Sequence, residues 1–217
     1  MIRRPRRVLP RPADLALRYK IGSILLRYPD DHVLAHLDDV TAALPAITDA
    51  VSRHAVAPLT DWLAARTPTE AAAHYVDTFD HTRRRSLHLT YYRYGDTRKR
   101  GMALLALKHT YRQAGYPAPD DELPDFLPLI LEFAALAPEP GQRVLALCRA
   151  GVELLSDALH QHGTPYAGVV DAIRVGLPGL TDRDRTELRA LAEGGPPGEQ
   201  VGLEPFAPPE YIAGGYR

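Results

Sequence analysis

The sequence is poor in cysteine, and its one cysteine, Cys148, excludes an intramolecular disulfide. Chains without disulfides are typical of reducing compartments. Cys148 falls on an apolar stripe of a predicted helix, so we expect a small buried side chain there and not a reactive thiol. The chain also lacks any run approaching the ~20 apolar residues that a membrane span needs. These absences favour a protein of a reducing compartment without direct membrane insertion.

An excess of charge of either sign is also missing, because the formal net charge is −1. Whole-molecule charge therefore gives no reason to expect a nucleic-acid or membrane partner. Four arginines occur within the first seven residues, but prolines and an aspartate follow them instead of the apolar segment of an export signal. We interpret residues 1–12 as a disordered basic arm and the protein as not exported.

Motifs that carry catalysis are absent from the sequence. It contains no G-x-S-x-G element and no glycine-rich phosphate loop. His74, His81 and His88 are spaced by seven residues, but neither H-E-x-x-H nor a pair of Glu-x-x-His motifs accompanies them. We therefore expect these histidines on solvated or half-buried helix faces. The sequence predicts a protein that is not an enzyme and has no catalytic residues, no cofactor and no metal site.

Apolar residues recur at helical spacing along almost the whole chain. Thr67-Pro68-Thr69-Glu70 is the strongest helix start, with threonine at the N-cap, proline at the first helical position and glutamate two positions later. Thr181 is the expected cap of a final helix. Neither an alternating β pattern nor an internal repeat is found. The predicted fold is a single all-α domain of about eight to ten helices over residues 13–193, followed by a Pro/Gly-rich tail at 194–217.

Several helix boundaries can be predicted within this domain. Thr60 is expected to cap a short helix, and Asp96 is expected to cap the helix that follows the Gly-Asp break. A helix is predicted to begin at Pro124. The spacing of apolar residues predicts one long helix from Val144 to Leu159.

Charge is segregated between two segments. Residues 81–100 hold six arginines and one lysine against one acid, whereas residues 117–140 hold six acids and no lysine or arginine. The two segments either complement each other across the fold, or the acidic one faces a cleft that attracts a basic peptide. Exposed ion pairs contribute only about 0 to 1 kcal/mol each, so charge alone does not decide between these explanations. Tyrosines at 91 and 92 suit either a core or a recognition surface.

The basic, tyrosine-rich segment 81–100 also suggests an alternative function. Arginines on one face can bind phosphates, and aromatic rings can stack on single-stranded bases. The chain would then be a nucleic-acid-binding helical module. The neutral net charge and the lack of a recognised module around the segment argue against this alternative.

The run SLHLTYYRYGDTRKRGMALLALKHTYRQAG, followed by ELPDFLPLILEF, resembles the NarJ family. The resemblance is specific over residues 79–133 and extends more loosely to LLRYPDDHVLAHL. The residues that match the family pattern are Asp80, Arg84, His88, Tyr92, Gly95, Asp96, Thr97, Arg100, Gly101, Glu122, Leu123, Pro124, Asp125, Leu127, Pro128 and Glu132.

NarJ proteins are molybdenum-cofactor assembly chaperones, also called the delta subunit of respiratory nitrate reductase. The resemblance implies an all-helical, cytoplasmic and non-catalytic protein. Its expected partner is the apo catalytic (alpha) subunit of nitrate reductase, including the N-terminal peptide of that subunit. The chaperone would keep the subunit competent for molybdenum cofactor insertion before membrane docking, and it would not be part of the final enzyme.

We expect the client peptide to lie as a basic amphipathic helix in an apolar groove. Acidic residues would supply complementary charge and tyrosines an apolar wall. The residues predicted to bind the peptide are Tyr91, Tyr92, Asp96, Arg100, Glu122, Asp125 and Glu132. Asp125→Lys is expected to weaken binding without unfolding the protein. A separate hypothesis has the tail folding back over the groove, to be displaced by the client.

Overall fold

The computed structural model describes residues 12–195, and twelve α-helices form within this range. The all-α prediction is confirmed: the only β feature between these residues is one isolated bridge that pairs His88 with Phe126. A 3-10 helix spans Leu44–Ala46 and another spans Arg83–Arg85. The α-helices are α1 (Pro12–Leu25), α2 (Asp31–Ala35), α3 (Leu37–Ala43), α4 (Ala50–Ala64), α5 (Pro68–Phe79), α6 (Leu89–Tyr94), α7 (Arg98–Gln113), α8 (Leu127–Leu136), α9 (Pro138–Leu147), α10 (Arg149–His162), α11 (Tyr166–Val175) and α12 (Asp182–Gly194).

The predicted basic arm and the predicted tail fall almost entirely outside the described residues. Pro12 begins α1 and Gly194 ends α12, so helices occupy the edges of the described range. Among residues 12–195, no helix combines the length and the apolar character needed to cross a membrane.

The helix starts with the clearest capping signals are where the sequence predicts them. The Thr67 hydroxyl accepts the Glu70 N–H, and the Glu70 carboxylate accepts the Thr67 N–H in return. Thr181 and Asp184 form the same reciprocal pair at the start of α12. Each arrangement satisfies N–H groups that a helix start otherwise leaves unpaired, so local chemistry alone determines these boundaries.

Other predicted boundaries are wrong. Thr60 lies inside α4, which continues through Pro58, and its hydroxyl donates back to the carbonyl of Ala57 at 2.9 Å. Thr97 and not Asp96 occupies the N-cap of α7. The third correction concerns Pro124, which precedes α8 by three residues. Long-range contacts account for the first and third differences, because α4 is packed along α11 and the Pro124 carbonyl accepts the Tyr111 hydroxyl at 2.7 Å.

The long helix predicted from Val144 to Leu159 is two helices. Its backbone leaves helical geometry only at Cys148, where ψ is 10°. A one-residue departure leaves the apolar spacing unchanged, so the sequence pattern does not reveal it. This break, together with the short α2 and α3, explains why the described chain has more helices than predicted.

The core is built around α8, in which seven of ten residues are buried. This helix packs between α1 and α9, and α11 in turn packs against α4 and α10. The buried carboxylate of Asp14 forms an ion pair with Arg18 at 2.9 Å and accepts a hydrogen bond from the backbone N–H of Thr48 at 2.6 Å, which joins α1 to the segment before α4. Helix α8 is therefore enclosed by elements from both halves of the chain.

Two helix pairs approach closely because a glycine lies at the crossing. A Cβ atom at Gly141 in α9 would lie 2.3 Å from the Cα of Ala134 in α8. At Gly168 in α11, a Cβ atom would lie 1.9 Å from the carbonyl oxygen of Ala55 in α4. Both neighbours are backbone atoms, so neither can move aside like a flexible side chain.

We predict that Gly168→Ala destabilises the fold by about 1 to 3 kcal/mol, the usual cost of overpacking a core. Gly101→Ala in α7 is the matched control, because nothing lies within 4 Å of its added Cβ. The control should be neutral or should stabilise the helix by about 0.5 to 1 kcal/mol. Urea denaturation of the two variants provides the measurement, and equal stabilities would contradict the close crossing.

Candidate functional site

The carboxylate of Asp125 is fully buried and has partners on three sides. One oxygen lies 3.2 Å from Nδ1 of His88. The other oxygen accepts a short hydrogen bond from the Thr90 hydroxyl and lies 3.3 Å from the guanidinium of Arg100. Asp125 therefore joins the segment before α8 to the start of α6 and to α7.

Backbone hydrogen bonds reinforce this junction. The N–H of Leu89 donates to the carbonyl of Asp125 at 3.0 Å, and the N–H of Leu127 donates to the carbonyl of Leu87 at 2.8 Å. These two segments of the chain thus form the isolated antiparallel bridge next to the buried carboxylate. The Leu-Pro-Asp element and the Leu-His-Leu element of the sequence are held as one unit.

The surroundings of Asp125 favour its ionised form. Burial acts to raise the pKa of this carboxyl group, but hydrogen bonds from His88 and Thr90 and the positive charge of Arg100 outweigh burial. The pKa of Asp125 consequently lies below its ordinary value. A buried, ionised and fully partnered carboxylate is a structural element, and in this conformation the Asp125 side chain has no exposed surface.

Arg100 connects the buried carboxylate to the surface. Its guanidinium also lies 3.3 Å from the exposed carboxylate of Asp96 and 5.8 Å from the centre of the Tyr91 ring. The same Asp96 pairs with Arg83 at 3.4 Å. Asp96 thus acts as a bridge between two arginines and not as the helix cap predicted for it.

These groups surround a shallow cleft of about 310 Å³, here called the arginine cleft. Charged rims with an aromatic floor suit a polar segment of a bound polypeptide. The lining residues are Phe79, Asp80, Thr82, Arg83, Ser86, His88, Tyr91, Asp96 and Arg100.

A larger cleft of about 580 Å³ lies between the end of α1, α2 and α8, and is called the α1–α8 cleft here. Tyr28 is 47% exposed in it and packs edge-to-face on Tyr75, with ring centres 5.4 Å apart. The full lining comprises Lys20, Ser23, Ile24, Arg27, Tyr28, Asp30, His32, Val33, His36, Tyr75, Glu122, Phe126 and Glu132.

Glu132 forms ion pairs with both Lys20 and Arg27 in the α1–α8 cleft. One of its oxygens lies 2.7 Å from Nζ of Lys20 and the other 3.2 Å from the guanidinium of Arg27. The hydrogen bond from Lys20 is the main reason that the pKa of Glu132 lies below its ordinary value. Counting histidines as neutral, the three carboxylates of Glu132, Asp30 and Glu122 exceed these two cations by one, so the cleft carries a net negative charge.

The two clefts adjoin at His88 and Phe126, whose rings are 5.4 Å apart. The structure therefore brings most of the predicted site residues into one region but divides them among three positions. Tyr91, Asp96 and Arg100 line the arginine cleft, and Glu122 and Glu132 line the α1–α8 cleft. Asp125 and Tyr92 lie beneath the surface.

Tyr92 is buried, and its hydroxyl lies 2.9 Å from the carbonyl of Arg84 and 3.0 Å from that of Ser86. Burial raises the pKa of this hydroxyl, so it stays protonated and donates. The side chain thereby holds the Arg83–Arg85 turn against α6. Its contact with a client stays a prediction, as do those of the other six residues.

Both explanations of the charge segregation apply to part of the chain. Arg100 and Asp125 pair the basic segment directly with the acidic one. Glu132 instead pairs with the first helix, whereas Glu122 is half-buried at the edge of the α1–α8 cleft. Asp125 therefore fits the explanation in which the two charged segments complement each other within the fold. Glu122 fits the explanation in which the acidic segment faces a cleft.

The remaining candidates from the sequence do not converge on a site. His74 lies 2.9 Å from the Thr164 hydroxyl and its pKa is lowered by burial, while His81 is exposed in the loop that directly follows α5. Between residues 12 and 195, no group of three or more His, Cys, Asp or Glu side chains could hold a metal ion. The prediction for Cys148 is confirmed, because the thiol is buried and burial raises its pKa to about 12.

Sequence reasoning missed the contribution of α1 and α2 to the larger cleft. Arg27, Tyr28 and His32 all fall within LLRYPDDHVLAHL, the stretch with the looser family resemblance, and Ile24 directly precedes it. The tyrosine just before Pro29-Asp30 was the available signal, since an aromatic ring with a polar tip next to a helix end suits a binding surface.

Comparison with known proteins gives a consistent result. A family model described as nitrate reductase delta subunit matches residues 45–171. The probable nitrate reductase molybdenum cofactor assembly chaperone NarJ of Bacillus subtilis is 33% identical over 175 residues, which cover 80% of this chain and 95% of that protein. NarJ of Escherichia coli K12 is 34% identical over 159 residues, covering 70% and 66%.

A third relative is much longer than this chain. The nitrate reductase-like protein NarX of Mycobacterium tuberculosis is 40% identical over 163 residues, which cover 71% of this chain and 23% of NarX. The chain thus spans less than a quarter of the length of that relative.

We predict that Asp125→Asn destabilises the protein by about 3 kcal/mol, because it leaves Arg100 without its buried partner. Asp96→Asn is the matched control: it removes an exposed partner of the same arginine and should cost less than about 1 kcal/mol. Chemical denaturation at neutral pH compares the two variants. Equal losses would contradict the structural role of the buried carboxylate.

The pH dependence provides a second check on Asp125. Since the pKa of this carboxyl group is lowered in the folded state, its stabilisation is present above the ordinary aspartate value of 3.8 and is lost as pH falls through the lower folded value. The difference in unfolding free energy between wild type and Asp125→Asn should be constant from pH 7 to about 5 and should narrow in acid. A gap that persists unchanged in acid would contradict the assignment.

Proposed function

The chain belongs to the nitrate reductase delta subunit family, and we propose that it is an assembly chaperone for a nitrate reductase. It binds the apo catalytic subunit and keeps that subunit competent for molybdenum cofactor insertion before membrane docking. It does so in the cytoplasm, without catalysing a reaction itself. Support comes from the match over 95% of the Bacillus subtilis relative, which is named as an assembly chaperone.

The client peptide binds in the α1–α8 cleft. A volume of about 580 Å³ falls in the range of specific binding sites, and Ile24, Tyr28 and Phe126 provide apolar surface for one face of an amphipathic helix. Glu122, Asp30 and Glu132 lie at the same cleft, and their three negative charges exceed the two positive charges of Lys20 and Arg27 by one. This combination favours a basic peptide with an apolar stripe.

The arginine cleft extends the binding surface. A peptide that continues past Phe126 and His88 meets the exposed carboxylate of Asp96 and the ring of Tyr91. Asp96 is already shared by two arginines, so the cleft suits a polar segment better than a further run of positive charge. The α1–α8 cleft therefore supplies affinity, and the arginine cleft determines in which direction the peptide lies across the two clefts.

The nucleic-acid alternative gains no support from the basic segment. Arg83, Arg93 and Arg100 each form ion pairs with acidic side chains. Arg85 donates instead to the carbonyls of Asp77 and Thr78. Most of the arginine charge is thus engaged within the fold, whereas phosphate binding needs free cations on one face.

The test is calorimetric titration with the N-terminal peptide of the nitrate reductase catalytic subunit from the same genome. A scrambled peptide of equal charge controls for nonspecific attraction. We expect micromolar or tighter binding of the native peptide alone, weakened by added salt because exposed charges are screened within ~10 Å at 0.1 M.

Two variants of the α1–α8 cleft sharpen this test. Tyr28→Ser removes an exposed aromatic contact, and Glu122→Lys reverses a charge at the rim; each should weaken binding about tenfold or more. Glu139→Lys makes the same charge change on exposed α9, outside both clefts, and should bind like wild type. Equal peptide affinity of wild type and all three variants would mean that the peptide binds outside the α1–α8 cleft. Absence of any complex with the full apo subunit would overturn the chaperone function.

A further inference from the structure

Helix α7 is unusually exposed for a helix of 16 residues, because only Leu107 and Tyr111 are buried. Met102 is 69% exposed and Leu105 is 62% exposed. With Ala106 they lie at positions i, i+3 and i+4, so they form one stripe on the outer face of the helix. An exposed apolar stripe of this kind usually marks an interaction surface.

The stripe continues into a small apolar cleft of about 170 Å³. Ala106 belongs to both, and Leu147 at the end of α9 lies at the cleft with 67% of its surface exposed. We call Met102, Leu105, Ala106 and Leu147 the α7 face. Glu187 of α12 lies at the other side of the same cleft.

The charge of α7 is entirely positive, with five Lys or Arg residues and no Asp or Glu. Arg100 and Lys108 are engaged by Asp125 and Asp120. Within the described part of the chain, the exposed Arg98, Lys99 and Arg112 form no ion pair, and they flank the apolar stripe at its two ends. The chemistry of this surface calls for an apolar segment that carries acidic residues.

Such a segment occurs in this chain itself. Residues 196–217 contain three glutamates, at 199, 204 and 210, and one basic residue, at 217. Leu203 and Phe206 lie among these glutamates, and Tyr211-Ile212 follows the last of them. We propose that residues 199–212 dock on the α7 face, with Leu203 and Phe206 on its apolar stripe and the glutamates beside its free cations.

The tether makes this contact reachable. Gly195 follows Glu187 by eight residues, about 12 Å along a helix at 1.5 Å per residue. Phe206 lies eleven residues beyond Gly195, so the connecting chain extends up to about 36 Å at 3.3 Å per residue. A short tether raises the local concentration of the segment to the millimolar range, which allows even a weak contact to be populated.

Charge also separates this docking surface from the α1–α8 cleft. That cleft carries Asp30 and Glu122 and would repel the glutamates of the segment. Charge therefore favours the basic apolar surface formed by α7 and the end of α9 over the acidic cleft as the docking site of the tail. The sequence hypothesis, in which the tail covers the groove, concerns residues that lie outside the described part of the chain.

The natural reporter of this contact is Met102, because the only other methionine is Met1. Hydrogen peroxide transfers one oxygen atom to an exposed thioether and leaves water, so the rate of sulfoxide formation measures access to Met102. In the full chain, Leu203→Ser combined with Phe206→Ser removes the apolar anchors. If the docked state is populated about three to one over the undocked state, Met102 is accessible about a quarter of the time. We therefore expect Met102 to oxidise roughly fourfold more slowly in wild type than in this variant. Met1 in the same sample controls for oxidant dose.

A charge exchange tests the electrostatic part independently. Glu204→Lys should speed the oxidation of Met102, and adding Lys99→Glu to it should restore the slow rate. Glu193→Lys makes the same charge change on α12 outside the segment and should leave the rate unchanged. Equal rates in wild type and the Leu203/Phe206 variant would overturn the proposal. Protection of Met102 that increases with protein concentration and is unaffected by the tail substitutions would also overturn the proposal, because it would indicate that a second copy of the chain covers the α7 face.

Discussion

The ionised carboxylate of Asp125 fixes the geometry of the region from Ser86 to Glu132. Three side chains converge on it from α6, α7 and the turn before α6, and two backbone hydrogen bonds run alongside. A charge buried in this way is tolerated only when all of its partners are present, so the elements that supply them are held in one arrangement. The two clefts owe their relative position to this arrangement, because His88 and Phe126, on either side of the bridge, form their common border.

Burial determines what each charge of the chain does. Asp125 and Glu132 carry the same charge, yet one holds the fold together from within and the other pairs with two cations at a cleft. Together with Glu132, Glu122 and Asp30 outnumber Lys20 and Arg27 by one charge and give the α1–α8 cleft its negative sign. Helix α7, by contrast, carries three cations, Arg98, Lys99 and Arg112, that form no ion pair with an acid among the described residues. The molecule thus presents an acidic cleft and a basic helix face as separate surfaces.

Local chemistry explains what could be predicted from the sequence. The all-α fold, the reciprocal caps at Thr67 and Thr181 and the buried thiol follow from spacing and from neighbours a few residues away. Thr60 and Asp96 looked equally suitable as caps, but contacts with α11 and with two arginines decided their roles. For the site, the sequence indicated the correct segments but not the depth of each side chain, since Asp125 and Glu122 differ only in what the rest of the fold places over them. The contribution of Tyr28 depended on α1 packing beside α8, which no local pattern encodes.

The lone buried thiol gives the protein a built-in sensor of its own opening. With a pKa raised to about 12, Cys148 is almost entirely protonated at neutral pH, and its side chain is buried at the base of the small cleft beside α7. Alkylation therefore reports openings that expose this thiol, whether the cleft widens or the helices around it separate. The labelling rate of the unaltered chain converts into an opening free energy, without any engineered probe. Measured with and without a bound polypeptide, it would distinguish a client that tightens the whole helical core from one that rests on its surface.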